Sequence, residues 1–438
     1  MYLKRNIDQE LLRWKDEPDR KPLLIRGARQ VGKSSSIRKF AENFDSFLEI
    51  NFEEHKSVHK LFEGDLTPEV LVENLSILFD TEIKQGETLL FFDEIQSCIP
   101  AISSLRFFYE KTPELHLIAA GSLLEFALSE IPSFGVGRIR SIYLYSLSFD
   151  EFLQATGNAR LLHMKGKASA KAPMTEPLHI KLLDLLKKFL VIGGMPEVVK
   201  KYVLDNDLRG CQAVLDDLVV SYQIDFAKYR KRVPVARIGK VFESVVRQSG
   251  GKFVYKKVSE GINSIQIKEA LNLLILAGLV IPVTHTSANG IPLGAEINPK
   301  KRKMLLFDTG IFQRLLKLDI SELLFSDELE LVNKGGIAEQ FLGLEIVKNA
   351  SCYDQQSLFY WHREALNSNA EVDYLIQKGE KAIPIEVKSG SKGSMTSMFL
   401  FLKEKKAKYG YRLSLENFAE YERIKVFPLY AYSNTIDT

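Results

Sequence analysis

The sequence has little cysteine, and the three cysteines are far apart. Cys98, Cys211 and Cys352 lack the short spacings of zinc or iron–sulfur ligands, which argues against that class of metal site. They are also too few for a small secreted domain stabilised by disulfides. We therefore expect buried, reduced thiols in a reducing compartment.

Net charge and long apolar runs are also scarce. The chain has 59 Lys and Arg against 56 Asp and Glu, so bulk charge does not indicate nucleic-acid binding, and any basic surface must be local. The longest apolar run, near Leu273–Val283, is too short to span a bilayer. Residues 1–20 are too polar for a signal peptide. We expect a cytoplasmic protein with no membrane partner.

What is present is the composition of a globular protein. Apolar residues make up 45% and charged residues 26% of the 438 residues, which is ordinary for folded domains. A chain of this length is expected to form about two to four domains, each able to bury a core.

The most informative stretch is Gly27–Ser34, which matches the phosphate-loop pattern G-x-x-x-x-G-K-[ST] at every fixed position. It lies between a short apolar run and a helical pattern, and its glycines let consecutive backbone N–H groups face one anion. Lys33 is predicted to reach the β- and γ-phosphates, and the Ser34 hydroxyl to bind Mg²⁺. The predicted nucleotide-binding residues are Gly27, Ala28, Arg29, Gln30, Val31, Gly32, Lys33, Ser34 and Ser35.

Two later apolar runs end in polar side chains. Thr88–Phe92 leads into Asp93 and Glu94. Because ligands bind beyond the carboxyl ends of strands in an α/β sheet, Asp93 is predicted to hold Mg²⁺ and Glu94 to polarise the attacking water. His116–Ala120 leads towards Ser122, which we predict either contacts the γ-phosphate or the water, or caps the next helix. The sequence leaves both roles open.

Two arginines follow these strands at Gly137-Arg138-Ile139-Arg140. Arg138 and Arg140 are candidate cations for the charge of the transition state, in the same chain or in a neighbouring one. The alternative is that both are ordinary surface arginines. The alternation of strands and helices across this region predicts a three-layer α/β sandwich around a parallel sheet.

The order of these motifs resembles a known family. With Arg29-Gln30 inside the loop and the stretch LSFDEFL at Leu147–Leu153, the sequence is similar to prokaryotic AAA-type ATPases of the GxRQxGK subgroup. Members carry a C-terminal domain of unknown function related to restriction endonucleases. The resemblance implies ATP rather than GTP, and relatives of AAA type often assemble into rings, so an oligomer is one expectation.

The middle of the chain is predicted to begin with a helical lid. Leu178–Leu190 and Leu208–Tyr229 have helical periodicity, and a Gly-Gly-x-Pro turn at Gly193–Pro196 separates them. The same turn follows a helical lid subdomain in the resembling family. Lys165–Pro173, upstream of these helices, is polar and aperiodic, as expected of a loop or linker.

A winged-helix module is predicted next. Two helical stretches, Ala236–Gln248 and Ser264–Gly278, precede two short strands at Leu279–Thr284 and Met304–Phe307. Its charge bias is basic, so DNA binding through phosphate contacts is one interpretation and a solvated or packing surface is the other. The basic residues are Arg230, Lys231, Arg232, Arg237, Lys240, Arg247, Lys252, Lys256, Lys257, Lys300, Lys301, Arg302 and Lys303.

The C-terminal region contains a predicted hairpin of opposed carboxylates. With Gly379-Glu380 at the turn, Asp373 lies opposite Glu386, and alternation puts both on one face with Lys388. Facing carboxylates repel, so a divalent cation between them is predicted, with Lys388 orienting water or stabilising a phosphate. The alternative is a solvated face.

This D-x(n)-E-x-K arrangement resembles the PD-(D/E)xK nuclease superfamily, and the acid on that family's first helix matches Glu339. Val372 departs from the pattern, because many members have proline at that position. The resemblance implies a restriction-endonuclease-like α/β domain; cleavage activity is a separate expectation.

Together these observations predict an α/β protein that binds and hydrolyses ATP with Mg²⁺. Two alternatives remain: a metal-dependent DNA endonuclease regulated by ATP, and a nucleotide-dependent switch that binds protein or DNA without cutting it. The predicted domains are an AAA-type P-loop domain at 1–158, a helical lid at 159–232, a winged-helix-like domain at 233–330 and an endonuclease-like domain at 331–438.

Overall fold

The computed structural model describes residues 1–128, 131, 137–229, 233–317, 334–364, 369–390 and 394–436. Within these ranges the chain divides into two units, each with its own sheet. The first unit comprises residues 1–146, 276–278 and 351–355, and the second comprises 147–275, 279–350 and 356–438. The predicted basic residues 230–232 lie outside the described residues. Among the helices in these ranges, none is both long and apolar enough to cross a bilayer.

The first unit is built on short apolar runs separated by helices. Its strands are β1 Leu23–Arg26, β2 Ser46–Asn51, β3 Thr88–Asp93, β4 His116–Ala120 and β5 Arg140–Tyr143. Its helices are α1 Ile7–Lys15, α2 Lys33–Ala41, α3 Pro68–Phe79, α4 Ile99–Lys111 and α5 Leu124–Leu128.

These five strands form one parallel sheet in the order β2-β3-β4-β1-β5. Every residue of β3 and β4 is buried, as expected for central strands of a parallel sheet with both faces covered. The carboxyl ends of β1, β3 and β4 therefore meet at one edge of the sheet. The predicted parallel α/β architecture of this region is confirmed.

Further helices follow the first unit's sheet, most of them before the strands of the second unit. They are α6 Phe149–Ala155, α7 Ala159–Lys167, α8 Glu176–Ile192, α9 Pro196–Asp205, α10 Leu208–Asp225, α11 Val235–Arg247, α12 Ser264–Leu276, α13 Thr309–Leu315, α14 Lys334–Lys348 and α15 Thr396–Glu404. The LSFDEFL stretch forms the start of α6, where Ser148 and Glu151 make a reciprocal capping box. The amide of Phe149 also donates to Glu345 Oε1 of α14 at 3.1 Å.

Eight strands form a mixed sheet in the second unit. They are β6 Val280–Thr286, β7 Ile297–Leu306, β8 Leu358–His362, β9 Glu371–Lys378, β10 Lys381–Val387, β11 Gly410–Ser414, β12 Ala419–Tyr421 and β13 Ile424–Pro428. Their order is β12-β13-β11-β10-β9-β8-β6-β7.

The ribbon predicted as part of a winged helix is present, but it is not a free wing. β6 and β7 pair antiparallel, as expected, and β6 also pairs in parallel with β8 through Val283 and Leu358. Because β8 satisfies the second edge of β6, the ribbon extends the C-terminal sheet. Whether this region acts as a winged helix stays a prediction.

The register of the C-terminal hairpin is confirmed. Ile383 lies opposite Ile376 and Ile385 opposite Tyr374, so the same register brings Glu386 level with Asp373. The alternative interpretation, a solvated charged face, does not hold for Glu386. Glu386 is only 6% exposed, because other elements of the second unit cover the charged face as well.

Candidate nucleotide site and a second polar cluster

The loop after β1 adopts a backbone conformation that requires glycine. Gly27 has a φ of 144°, and a Cβ at this position would lie 2.1 Å from the carbonyl oxygen of Leu144. Gly32, which precedes α2, has a φ of 101°. Both fixed glycines of the motif therefore serve the tight curl of the loop, which ends at the positive N-terminus of α2.

Lys33 is buried over this loop. Its ammonium group donates to the carbonyl oxygens of Gly27 at 2.9 Å and Ala28 at 2.8 Å. Burial lowers the pKa of Lys33 to about 8, against the opposing effect of the carboxylates of Glu94 and Asp93. The ammonium group therefore lies at the loop itself, close to Asp93 and Glu94 at the carboxyl end of β3.

Ser34 and Asp93, the two residues predicted to hold Mg²⁺, contact each other. The Ser34 hydroxyl donates to Asp93 Oδ2 at 2.9 Å, and Asp93 is 5% exposed. Burial raises the pKa of Asp93, while its hydrogen bond from Ser34 lowers it. Mg²⁺ prefers oxygen ligands, and the Ser34 hydroxyl and the Asp93 carboxylate supply two that lie close together. These residues therefore fit that ion.

Glu94 lies beside this pair in an unusual backbone conformation. Its φ is 48°, in the left-handed region. Its Oε2 accepts from Gln96 Nε2 at 2.6 Å and from the Ser122 hydroxyl at 3.5 Å. Ser122 thus contacts the acid of the neighbouring strand end. Its contact with the γ-phosphate or the water stays a prediction. The Glu94 carboxylate is oriented by side chains from two segments.

Gln96 belongs to this site although no motif in the sequence indicated it. A Cβ on Gly121 would lie 2.0 Å from Gln96 Oε1, so the glycine before Ser122 leaves room for this amide. The signal available in the sequence was the spacing Asp93-Glu94-x-Gln96 after an apolar strand. Only the fold shows that the amide turns back towards Glu94.

The remaining predicted residues are spread around the loop. Arg29 is half-buried, and its charge further lowers the pKa of Lys33, a smaller effect than burial. Arg138 forms an ion pair with Glu110, and Arg140 Nη1 lies 2.5 Å from Glu17. A role of Arg138 or Arg140 in catalysis stays a prediction. Ala28 and Val31 are buried, and Gln30 and Ser35 are exposed.

Arg5 supports the loop from the N-terminal segment, and no motif indicated it. Its guanidinium donates to the carbonyl oxygen of Val31 at 2.9 Å and to that of Tyr145 at 2.8 Å. Arg5 is 5% exposed. One buried cation therefore links the phosphate loop to the segment that follows β5.

A second polar cluster lies in the C-terminal sheet, and a lysine occupies its centre. Lys303 Nζ of β7 lies 2.6 Å from Glu371, 3.2 Å from Glu339 and 3.8 Å from Asp373. Burial by itself lowers the pKa of Lys303, but these three carboxylates raise it well above its usual value. Lys303 is therefore a buried cation, although in the sequence it stands out only as part of a basic run.

Glu386 completes this cluster. Its Oε1 accepts from Lys388 Nζ at 2.7 Å, while its buried Oε2 has no hydrogen-bond partner. Burial raises the pKa of both Glu386 and Glu339, and the nearby Asp373 carboxylate raises them further. The ammonium groups of Lys303 and Lys388 thus supply positive charge at the position where a divalent cation was predicted. Within the described ranges, no three His, Cys, Asp or Glu side chains are grouped as ligands of one metal ion.

Comparison with protein families assigns the N-terminal region. Residues 19–153 match the model of an AAA domain. Residues 183–322 and 334–432 match two domains of unknown function, DUF8612 and DUF4143. A comparison with curated proteins finds no match to this chain.

Solved structures are similar only in part. The Walker-type ATPase PABY2304 of Pyrococcus abyssi has 14% identity and a TM-score of 0.45, covering 72% of this chain and 96% of that one. The ORC1 protein of Aeropyrum pernix, solved in complex with DNA, has 13% identity and a TM-score of 0.29, covering 72% and 93%. PCH-2 of C. elegans has 12% identity and a TM-score of 0.28, covering 47% and 64%. The family match, the phosphate loop and the parallel sheet together identify the N-terminal domain as an AAA-type P-loop domain that binds nucleotide.

Proposed function

We propose that this protein is a Mg²⁺-dependent ATPase whose site is the loop Gly27–Ser34 with Asp93 at the end of β3 and Glu94 after it. The observation that carries the proposal is the hydrogen bond of 2.9 Å between Ser34 Oγ and Asp93 Oδ2. It joins a hydroxyl and a carboxylate that are suited to hold Mg²⁺, next to a buried lysine suited to bind phosphate.

Each residue has a distinct part in the proposed reaction. The loop amides and Lys33 bind the phosphates, and Ser34 and Asp93 are the groups that would hold Mg²⁺, which when bound offsets phosphate charge. Glu94 accepts the proton of the attacking water as the water oxygen bonds to the γ-phosphorus and the bond to the ADP oxygen breaks. Ser122 and Gln96 orient the Glu94 carboxylate, and an arginine such as Arg138 stabilises the transition-state charge.

Substitution of Glu94, the proposed general base, separates nucleotide binding from ATP hydrolysis. In Glu94→Gln we expect nucleotide binding close to wild type and turnover reduced by at least ~100-fold, because the amide accepts no proton. Lys33→Ala is expected to abolish hydrolysis, and Glu73→Gln, at an exposed acid of α3, to leave it unchanged. Wild-type turnover by purified, folded Lys33→Ala would refute the assignment.

One observation favours a second candidate function in the C-terminal domain. Glu386 Oε2 is buried without a partner at the level of Asp373, as a metal ligand without its ion would be. We propose that Asp373 and Glu386 are the residues to hold a divalent cation in a nuclease-like site, with Glu339 and Lys388 beside them. The contacts of Lys303 to the neighbouring acids limit the fit, because much of the negative charge is already neutralised.

The nuclease proposal is tested directly on DNA. Plasmid is incubated with the full-length protein and Mg²⁺ or Mn²⁺, with and without ATP, and Asp373→Asn is compared with wild type. Cutting that the substitution removes would support the proposal. No cutting under any condition, or equal cutting by both proteins, would refute the nuclease proposal and leave the ATPase proposal unaffected.

A further inference from the structure

A basic cavity lies in the second unit, away from the carboxylate cluster. Its volume is about 590 Å³, within the usual range for small-molecule sites. Three segments line it: residues 288–291 between β6 and β7, residues 380–383 at the β9–β10 turn, and residues 405–409 after α15.

Positive charge dominates the rim of this cavity. Four lysines line it against one acid, Glu380. The Lys405 ammonium donates to Asn289 Oδ1 at 2.7 Å, which places it at the rim. Three of the lysines are exposed and make no ion pair or side-chain hydrogen bond with any residue the structure describes: Lys381, Lys406 and Lys408.

The floor of the cavity is apolar and fixed. Ala288 and Leu293 belong to a core cluster with Trp361 and Phe401, and Ile291 and Ala407 pack against that cluster. The cavity therefore combines an apolar base with a cationic rim, which matches a ligand with an apolar ring and an anionic group.

Backbone strain also concentrates here. Ala288 has a φ of 52° and Lys406 a φ of 51°, in the left-handed region that disfavours residues with a Cβ. The methyl side chain of Ala288 cannot form a hydrogen bond that would offset this strain. Its loop is held instead by the Ala288 amide, which donates to Thr286 Oγ1 at 3.3 Å, and by that hydroxyl, which donates to Leu293 O at 2.8 Å. Residues held in the left-handed region cluster at ligand-binding sites, and here two of them line a cavity with three exposed lysines.

We propose that this cavity binds the phosphate group of a nucleotide, either free or at the end of a nucleic-acid strand. Lysines bind phosphate as flexible point charges, and clustered charge in a concavity raises the local concentration of an anion. The apolar floor accepts the base or sugar, and Tyr409 lies at the edge of the cavity. This site is separate from the phosphate loop and does not depend on its ATPase activity.

The test uses the full-length protein with Lys33→Ala, so that the phosphate loop contributes little. The probes are ADP and a 5′-phosphorylated dT octamer, each compared with its unphosphorylated form by calorimetry. Substitution of Lys381, Lys406 and Lys408 by Gln is compared with substitution of three exposed lysines elsewhere in the second unit, Lys181, Lys200 and Lys268.

We expect the phosphorylated probes to bind more tightly than the unphosphorylated ones. The cavity substitutions should weaken that binding by at least ~10-fold and reduce the slope of log Kd against log salt by ~0.7 for the strand, the contribution of one phosphate contact on a single strand. Binding of ADP alone, or of the strand alone, identifies the source of the phosphate. No binding, equal binding of unphosphorylated probes, or equal weakening by the control substitutions would overturn the proposal.

Discussion

The Ser34 hydroxyl donates to Asp93 Oδ2 across 2.9 Å, joining the first turn of α2 to the end of β3. Asp93→Asn keeps the size of the side chain and an oxygen to accept this bond, but removes the charge. We expect the Mg²⁺ concentration for half-maximal ATPase activity to rise by at least ~10-fold, the scale found for altered metal sites. The measurement is turnover against Mg²⁺ at saturating ATP, with Asp80→Asn, at an exposed acid of the same unit, as control. An unchanged Mg²⁺ dependence would contradict the assignment of Asp93.

Gly27 tests whether the shape of the loop is required. In Gly27→Ala, the new Cβ would meet Leu144 O at 2.1 Å, so loop or strand must move, and the cost is on the order of 1–3 kcal/mol. We expect a lower thermal midpoint and no stabilisation by ATP. Gly64→Ala is the matched control, because nothing lies within 4 Å of a Cβ there. Equal thermal shifts with ATP in both variants would show that the loop tolerates the methyl group.

Arg5 is predicted to be a positioning residue. Arg5→Gln removes at least one of the two donors to Val31 O and Tyr145 O, and hydrogen bonds from charged groups contribute about 1.5–3 kcal/mol each. Because the loop carries the phosphate donors, we expect KM for ATP to rise more than kcat falls. Arg13→Gln, whose parent side chain is 70% exposed, should change neither. A loss of kcat with KM unchanged would point to a different role.

Glu345 makes stability depend on pH. Burial raises its pKa to about 7 in the folded protein, from about 4.5 for an exposed glutamate. An acid with a raised folded pKa favours the protonated, folded form, so its contribution is present at low pH and is lost as pH rises from about 4.5 to about 7.

Glu345→Gln removes this titration while an oxygen still accepts from Phe149 N–H. We therefore expect the variant to gain thermal stability relative to wild type across that pH window, and to keep a constant advantage above it. Thermal midpoints between pH 4.5 and 8 provide the measurement. A difference that is the same at every pH would contradict the raised pKa.

Lys303 is predicted to stabilise the C-terminal sheet. Lys303→Met leaves buried carboxylates without their cation, a change that typically costs about 3–5 kcal/mol. Lys301→Met, on the same strand, removes only an ion pair with Glu364 in which Lys301 is 38% exposed, and should cost little. Denaturant unfolding of the two variants distinguishes them. If Mn²⁺ restores stability to Lys303→Met but has no effect on wild type, the cluster accepts a divalent cation once the ammonium is removed.

Much of the fold could be predicted because local patterns and global structure agree. The apolar runs that became β1, β3 and β4 were readable since strands buried on both faces are apolar throughout. The hairpin register also followed from sequence, because placing the turn at Gly379-Glu380 fixes every cross-strand pair. The pairing of β6 with β8 was not predictable in this way, since it depends on which distant strand satisfies an open edge.

The sequence by itself determined the phosphate loop, because eight consecutive residues carry its glycines, lysine and hydroxyl within one local motif. It also placed Asp93 and Glu94 at a strand end. Only the tertiary structure decided the supporting residues. Arg5 donates to Val31 and Lys303 pairs with Glu371, although the partners are far apart in the chain. Gln96 donates to Glu94, two residues before it, because its side chain points back towards the strand end. Such contacts depend on where the chain crosses itself in space, and no periodicity or spacing encodes that position.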